Sequence, residues 1–313
     1  MPASFGAHRA LPQGTRDYES ARAALSAFLR ARNARRLICP AYICTAIFDA
    51  ARHAGVDVET YPLSENLQPA TTLSLQDGDF VLLVDYFGLN ASGIDEALAS
   101  LDPARVIVDA SQAWFAPTRP GVAATIRSPR KFLPVADGGV LNAEPLPPVE
   151  PADERAAHER IRYLLERIGA QPDATREAYL AAEAMLETIS DRAMPFQTRA
   201  IIDALDKDAI ASARRANFTR FEALLGDSNG WRWNLGQQVP LAYPFTIGRT
   251  DLRAHLIRKR LFTPRYWPGI TVTEPVERRL LEETVFLPID ERYDEHDIAR
   301  MADLTLETIK ELS

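Results

Sequence analysis

Short apolar runs alternate with helical segments along the first third of the chain, and this alternation constrains the fold more than any other feature. A helix is predicted over residues 19–32, where alanine and leucine recur at helical spacing. The following strands are predicted at 36–39, 56–61, 79–86 and 105–108, with helices at 45–55 and 93–100 between them. Strands separated by helices in this way form βαβ units and a mostly parallel sheet.

The second half of the chain follows a different pattern. A proline-rich stretch, EPLPPVEP, ends at Pro151 and is typical of a rigid connector. After it, helices are predicted at 153–168, 173–190, 206–225, 251–260 and from about 295 onward, with one strand at 239–247. The 313 residues suit one large domain and one smaller domain. We therefore expect a large α/β domain over 1–225 and a small C-terminal α+β domain over 226–313.

Charge and composition exclude several classes of protein. The 36 basic and 43 acidic residues give a net charge of -7, which disfavours binding to a nucleic-acid backbone. Apolar runs stop well short of the ~20 residues that a membrane span requires, and the N-terminus has no signal-peptide pattern, so we expect a cytoplasmic protein. Cys39 and Cys44 have no partners at metal-ligand spacing. We expect neither a disulfide framework nor a metal site.

Asp109 follows the apolar run RVIV at the end of a predicted strand. Open parallel sheets bind ligands at the carboxyl ends of their strands, so polar residues at such positions are candidate site residues. A carboxylate there could cap a helix, or it could pair with a cationic atom of a ligand. The residue alone leaves both interpretations open.

Lys131 is unusual because the chain has only four lysines among its 36 basic residues. The other three fall among polar residues of predicted helices, whereas Lys131 precedes an apolar stretch in a loop that ends in Gly138 and Gly139. Arginine stays protonated, but a buried lysine can lose its proton and form an imine. The alternative is a basic surface turn that Lys131 forms with Arg127 and Arg130.

Ser20 stands with Ala21 and Arg22 at the start of the first long helix. The free N–H groups and dipole of a helix N-terminus bind phosphate readily, although an ordinary serine cap would have the same sequence. A pyridoxal phosphate enzyme requires an anion-binding site, a partner for the pyridine nitrogen and an amine. This chain offers a helix N-terminus that could bind phosphate, an acid at a strand end with Gln112 nearby, and a lysine followed by a pair of glycines.

With these motifs the sequence resembles a known family, the DegT/DnrJ/StrS group of fold-type-I pyridoxal phosphate enzymes, best known as sugar-nucleotide aminotransferases. The resemblance extends over nearly the whole chain. The stretches that carry it are SARAAL at 20–25, LICPAYICTAIFDAARHAGVDVETYPL at 37–63, VIVDASQAW at 106–114, RSPRKFLPVADGGVL at 127–141, YPFTI at 243–247, FTPRYWP at 262–268 and VFLPIDERY at 285–293. The lysine stands seven positions before the first glycine of the pair, as it does in the family.

The resemblance implies a fold-type-I transferase in which Lys131 holds pyridoxal 5'-phosphate as a Schiff base, the internal aldimine. Asp109 would pair with the pyridine nitrogen and Gln112 would contact the phenolic-oxygen side of the ring. The phosphate would meet Ser20, Ala21 and Ser128. Opposite charges about 4 Å apart at an effective dielectric constant of about 20 attract by about 4 kcal/mol, enough to keep a ring nitrogen protonated.

The implied reaction transfers an amino group from an amino acid, glutamate or glutamine, to a keto-sugar or similar small carbonyl compound. Lys131, once displaced by the substrate amine, would move a proton between the substrate α-carbon and the cofactor. Family members build their active sites at a homodimer interface, so a homodimer is expected.

Three features depart from the family pattern. Only two residues separate Ser128 from Lys131, fewer than is usual. Four positions after Pro40, where many members carry an aromatic residue that stacks on the cofactor ring, this chain has Cys44. Tyr42 or Tyr86 is the candidate for stacking in its place, and the chain is shorter than typical members. Tyr266 and Trp267, beside Arg265, are interpreted either as core residues or as the lining of a substrate entrance.

Two other functions are compatible with these motifs. The first is a pyridoxal phosphate lyase or dehydratase on the same fold, although the family's dehydratase branch has histidine in place of the lysine. The second is a cofactor-free relative that acts as a regulatory or binding protein.

Overall fold

The computed structural model describes residues 10–168 and 172–312. Residues 1–9, where the sequence shows no signal pattern, lie outside this range, as do 169–171 and 313. The strands are β1 (Thr15–Tyr18), β2 (Arg36–Pro40), β3 (Asp57–Tyr61), β4 (Asp79–Val84), β5 (Val106–Asp109), β6 (Ala124–Arg127), β7 (Gly139–Ala143), β8 (Tyr243–Thr246) and β9 (Thr284–Leu287). The helices are α1 (Ala21–Ala31), α2 (Thr45–Ala54), α3 (Ala91–Leu98), α4 (Glu154–Glu166), α5 (Arg176–Met185), α6 (Phe196–Ala204), α7 (Lys207–Leu225), α8 (Leu252–Arg258), α9 (Pro275–Arg278) and α10 (Glu295–Leu312).

Seven strands form the central sheet in the order β1-β7-β6-β5-β4-β2-β3. The five neighbouring strands β6, β5, β4, β2 and β3 run parallel to one another, and β7 is antiparallel to both β6 and β1. Strands β4 and β5 are buried almost throughout, as expected for parallel strands that are covered on both faces. The predicted α/β class with a mostly parallel central sheet is confirmed.

Helix α1 forms where the sequence predicts it. Ser20 is its N-cap, and the hydroxyl accepts a hydrogen bond from the Ala23 N–H at 3.2 Å. Leu25, Phe28 and Leu29 are buried on the face that packs against α2 and the sheet. Since the helix starts directly after β1, its N-terminus opens at one edge of the sheet.

Several elements differ from the sequence predictions. The strand predicted over 79–86 ends at Val84, because a turn begins at Tyr86 and places Phe87 at a φ of 59°. The helix predicted over 173–190 is shorter and is preceded by a short 3₁₀ turn. The elements β1, β6, β7, α6 and α9 were not predicted, since most of them have only four or five residues and their sequences show no clear period.

A second sheet contains only β8 and β9, which pair antiparallel. Both strands follow Leu225, the last residue of α7 and the position where we place the domain boundary. The division into two domains stays a prediction. Within the described residues, no helix combines the length and the apolar character needed to cross a membrane.

Candidate active site

A cavity of about 200 Å³ lies at the carboxyl ends of the parallel strands β4, β5 and β6. We call it the lysine pocket. Its lining residues are Ser20, Ala21, Arg22, Leu25, Cys44, Ala46, Ile47, Leu82, Val84, Asp109, Ser111, Gln112, Ile126, Ser128, Arg130, Lys131, Gly138, Glu183 and Trp267. The structure thus brings together every residue predicted to bind the cofactor except the two candidates for stacking, Tyr42 and Tyr86.

Asp109 is the last residue of β5 and lies level with Val84 of β4 and Ile126 of β6. Only 8% of the residue is exposed. Its Oδ1 accepts a hydrogen bond from the Ser111 N–H at 2.8 Å. Pairing with strands on both sides fixes the backbone here, so the carboxylate is held at the edge of the sheet next to the pocket.

Gln112 has one satisfied and one unsatisfied side-chain atom. Its Oε1 accepts a hydrogen bond from the Phe87 N–H at 3.0 Å, and the residue is only 1% exposed. Its Nε2 is buried, and no atom of the described residues accepts a hydrogen bond from it. An unpaired buried donor costs about 1–3 kcal/mol, so an acceptor on a bound molecule would be stabilising at this position.

The N-terminus of α1 forms one end of the lysine pocket. Ser20, Ala21 and Arg22 line it, and the first N–H groups of a helix have no partners within the helix. A Cβ added to Gly139 would lie 2.2 Å from the Ser20 carbonyl carbon and 2.3 Å from the Ala21 nitrogen. Only glycine therefore allows β7 to approach this turn so closely, which leaves a compact seat for an anion.

Lys131 ends a short 3₁₀ turn that begins at Pro129, directly after Ser128. The next two residues, Phe132 and Leu133, are buried in an apolar cluster that also contains Met194. These anchors hold the turn against the protein while the lysine side chain lines the pocket. Within the described part of the chain, its amine has no hydrogen bond or ion pair.

Two arginines add positive charge near the anion seat. Arg22 and Arg130 both line the lysine pocket, and Arg130 forms an ion pair with Glu183 of α5. Burial lowers the pKa of Arg130 because the charged form loses its hydration. From the sequence, Arg130 is expected only in the alternative surface turn with Lys131, and Glu183 gives no signal of a site.

A buried charge network supports the same end of the pocket. Arg160 of α4 is 1% exposed and donates from Nε to Asp137 Oδ2 at 2.9 Å. Its Nη1 lies 2.7 Å from Glu19 Oε1. Thr198 also donates a hydrogen bond to Asp137, whose pKa is nevertheless raised because burial outweighs these contacts. Glu19 and Asp137 directly precede Ser20 and Gly138, so Arg160 ties together the two segments that form the seat.

The stacking side of the pocket differs from the sequence prediction. Tyr42 and Tyr86 are fully buried behind the pocket, with ring centroids 5.8 Å apart, and the Tyr86 hydroxyl donates to the Tyr42 carbonyl at 2.6 Å. The structure therefore places both Tyr42 and Tyr86 outside the lysine pocket, because their rings are used in core packing. Cys44 lines the pocket at the N-cap of α2, and Trp267 lines it from the C-terminal part of the chain.

A larger cavity of about 590 Å³ lies beyond β4 and contains Asp85 and Arg119 among its lining residues. The Asp85 Oδ1 accepts a hydrogen bond from the Asn90 N–H at 3.2 Å, and Oδ2 is 4.0 Å from Arg119 Nη1. Burial raises the pKa of Asp85 to about 6, and the nearby Arg119 offsets part of this rise.

No protein-family model matches the sequence, and no curated protein matches it. Solved structures do match its fold. A protein of Streptococcus pneumoniae assigned as a sugar aminotransferase, Spr1654 in its PMP form, has a TM-score of 0.68 at 13% identity, over 96% of this chain and 88% of that one.

Two further structures extend the likeness. A DegT DnrJ EryC1 StrS aminotransferase from Brucella abortus has a TM-score of 0.60 at 14% identity, over 94% of this chain and 85% of that one. DesV of S. venezuelae, in complex with a ketimine intermediate, has a TM-score of 0.62 at 18% identity, over 94% and 84%. The resemblance drawn from the sequence motifs is confirmed in the fold, and the chain has the fold-type-I architecture of these sugar aminotransferases.

Proposed function

We propose that this protein is a pyridoxal phosphate-dependent aminotransferase of the DegT/DnrJ/StrS type that aminates a keto-sugar or a similar small carbonyl compound. The observation that carries the proposal is the shared cavity: the amine of Lys131, the carboxylate of Asp109 and the N-terminus of α1 line one pocket. These three groups match an aldehyde, a ring nitrogen and a phosphate on one molecule.

The residues present fit the cofactor at three points. The Nε2 of Gln112 is a buried donor that has no acceptor among the described residues. Gly139 lies close to the Ser20–Ala21 backbone and has no side chain, so no side-chain atom of this residue blocks an anion at the N-terminus of α1. Asp109 is buried at the strand end with only one of its oxygens hydrogen-bonded in the described residues.

Bound pyridoxal phosphate supplies an aldehyde that exchanges between amines and a ring that withdraws electrons from the substrate α-carbon. Lys131 would bind the aldehyde carbon when no substrate is present. After an incoming amine displaces it, the free amine of Lys131 would take a proton from the substrate α-carbon as a general base and deliver it, as a general acid, to the former aldehyde carbon of the cofactor. The turn anchored by Phe132 and Leu133 would keep the amine in reach for both steps.

Asp109 would hold a proton on the ring nitrogen through its carboxylate. Its position between two paired strands means that little reorganisation is needed when charge develops, which is the condition for effective electrostatic stabilisation. Gln112 would donate from Nε2 to the phenolic oxygen side of the ring, while its Oε1 stays on Phe87.

The phosphate would be held by Ser20 and Ala21 at the N-terminus of α1 and by Ser128, which follows β6. Arg22 and Arg130 would add two positive charges close to it. Glu183 now pairs with Arg130, so we expect this ion pair to loosen when a phosphate takes over the guanidinium.

The sugar substrate is inferred from the structural neighbours, which are described as sugar aminotransferases, and the amino donor from the family that the sequence motifs resemble. We infer glutamate or glutamine as amino donor and a keto-sugar as acceptor. The proposal also includes a homodimer, a large domain over 1–225 and a small one over 226–313, and a cytoplasmic location. The net charge of -7 argues against nucleic acid as a partner.

The first experiment measures cofactor binding and amine transfer. We expect the purified protein with pyridoxal phosphate to absorb visible light, and Lys131→Ala to lose that absorbance. Lys310→Ala, which removes an exposed lysine on α10, is the matched control and should keep it. A colourless wild-type protein that also leaves keto-sugars unaminated would support a cofactor-free binding protein instead.

The second experiment separates transamination from elimination. Glutamate or glutamine carrying a labelled amino group is supplied with a panel of keto-sugars. Label in an amino-sugar product supports the proposal. Loss of water from the sugar without transfer of label would favour the lyase or dehydratase reaction.

A further inference from the structure

Trp267 is the aromatic side chain that lines the lysine pocket in the described part of the chain. The residue at the start of α2 that also lines it is Cys44, which has no ring to offer. The nearby tyrosines, Tyr42 and Tyr86, are fully buried and do not reach the cavity. A flat, apolar surface in this pocket therefore comes from the C-terminal part of the chain.

Three aromatic rings hold the indole in place. Trp267 packs edge-on against Tyr42 at 4.7 Å and against Tyr86 at 6.0 Å, and Tyr266 lies 6.1 Å away. Tyr42 and Tyr86 belong to the core behind the pocket, so the indole rests on a rigid base. Such edge contacts between rings are favourable and orient the side chain.

The backbone at Trp267 is unusual. Its φ is 53°, in the left-handed region that bulky residues rarely adopt, and Pro268 and Gly269 follow directly. A strained backbone persists only where the surrounding structure fixes it, and such positions occur often at ligand sites. The turn directs a large aromatic side chain toward the sheet edge at which Asp109 and Lys131 lie.

We propose that the indole of Trp267 stacks on the pyridine ring of the bound cofactor and so takes the role that Cys44 cannot fill. This inference rests on the proposed function. An aromatic surface stabilises a flat ring by burial and by stacking, and it attracts a ring that carries a proton on its nitrogen. Support for the ring would thus come from residues after 226, while β5 supplies Asp109 and the turn after β6 supplies Lys131.

The test is a titration of the apoprotein with pyridoxal phosphate, followed by tryptophan fluorescence and by absorbance. Loss of one stacked aromatic should raise the Kd of Trp267→Ala by about 10- to 100-fold, whereas Trp267→Phe should stay within about threefold of wild type. The matched control is Trp231→Phe, because Trp231 stacks on Trp233 at 5.1 Å and does not line the pocket.

Fluorescence identifies the residue that meets the cofactor. Binding should quench the emission of the wild type and of Trp231→Phe more strongly than that of Trp267→Phe, because an indole in contact with the cofactor is quenched most. Addition of Cys44→Phe to Trp267→Ala should recover part of the lost affinity, since it restores an aromatic ring at another residue that lines the pocket. Circular dichroism confirms that each variant is folded.

The outcomes separate this inference from the proposed function. If Trp267→Ala binds the cofactor as tightly as wild type, or if Trp267→Phe is quenched as strongly as Trp231→Phe, Trp267 does not stack on the ring, even though Lys131 still binds it. If the wild type binds no pyridoxal phosphate, the proposed function itself fails and this inference fails with it.

Discussion

The two ends of the lysine pocket are built in different ways. The phosphate end, which consists of Ser20–Arg22 and Gly138–Gly139, is held by the buried charges of Arg160, Glu19 and Asp137. The ring end, with Asp109, Gln112 and Trp267, is held by strand pairing and aromatic packing. One end thus depends on electrostatic compensation in the interior, and the other on geometry fixed by the sheet.

This difference predicts two kinds of failure. Removing one member of a buried charge network leaves its partners unpaired, which costs stability throughout the molecule. Changing a group at a strand end leaves the packed core intact and affects mainly what the site can bind or stabilise. Variants at the ring end should therefore stay folded and lose chemistry, while variants at the phosphate end should lose stability first.

The largest effect is expected for Asp109→Asn at the ring end. Loss of an attraction of about 4 kcal/mol for the ring proton corresponds to about a thousandfold lower rate of amine transfer. Steady-state kinetics measures this, and Asp77→Asn on an exposed turn is the control. Urea unfolding should place both variants close to wild type. Full activity in Asp109→Asn would show that the carboxylate does not act on the ring nitrogen.

Next comes Arg160→Met at the phosphate end. The substitution leaves the carboxylates of Glu19 and Asp137 buried without their cation, which should cost about 3–5 kcal/mol of unfolding free energy. Urea denaturation provides the measurement. Arg162→Met lies on the exposed face of the same helix and should change stability little. Equal stability of the two variants would contradict a structural role for the network.

A smaller effect is expected for Gly139→Ala. The added methyl group would lie within 2.2 Å of the Ser20 backbone, so β7 must shift, at a cost of about 1–3 kcal/mol, and the affinity for pyridoxal phosphate should fall. Calorimetric binding and thermal unfolding report the two effects. In Gly226→Ala the new methyl group meets the flexible end of Glu222 instead, so this control should bind normally. Unchanged binding by Gly139→Ala would mean that the seat tolerates a wider turn.

The smallest expected effect concerns Asp85, just outside the pocket. Its pKa is raised by burial to about 6, whereas an unfolded aspartate titrates near 4. The folded state therefore binds the proton more tightly between these values, and stability from this group falls as pH rises from about 4 to about 6.

Asp85→Asn removes that titration. Above pH 6 its unfolding free energy should exceed that of wild type by about 1–2 kcal/mol, after allowance for the lost attraction to Arg119. Urea melts at a series of pH values test this, with Asp77→Asn again as the control. A wild-type curve with the same slope as Asp85→Asn between pH 4 and 6 would contradict the assignment.

Much of the site could be predicted from the sequence because parallel sheets place their strand ends at one edge. Asp109 comes at the end of an apolar run that predicts a buried strand, and Ser20 stands at the start of a segment with helical periodicity. Lys131 stood out through the scarcity of lysine. In each case a local pattern was enough to locate the residue, and the fold then brought the three together.

Other residues gave no local signal. Arg160 occupies an ordinary position in a polar helix, and only the tertiary structure shows that it lies between Glu19 and Asp137. The sequence is compatible with Trp267 as a core residue or as part of a substrate entrance. Its place in the pocket depends on how the segment after α8 packs on Tyr42. Strands β6 and β7 are short and are defined by pairing across the sheet rather than by their own sequences.

Chemical trapping tests the central claim most directly. The protein is incubated with pyridoxal phosphate, reduced with borohydride and digested, and the peptides are analysed by mass spectrometry. The chain has four lysines, so the modified residue can be assigned without ambiguity. We predict that the reduced cofactor is found on the peptide that contains Lys131. Modification at Lys207, Lys259 or Lys310 instead, or no modified peptide at all, would contradict the account.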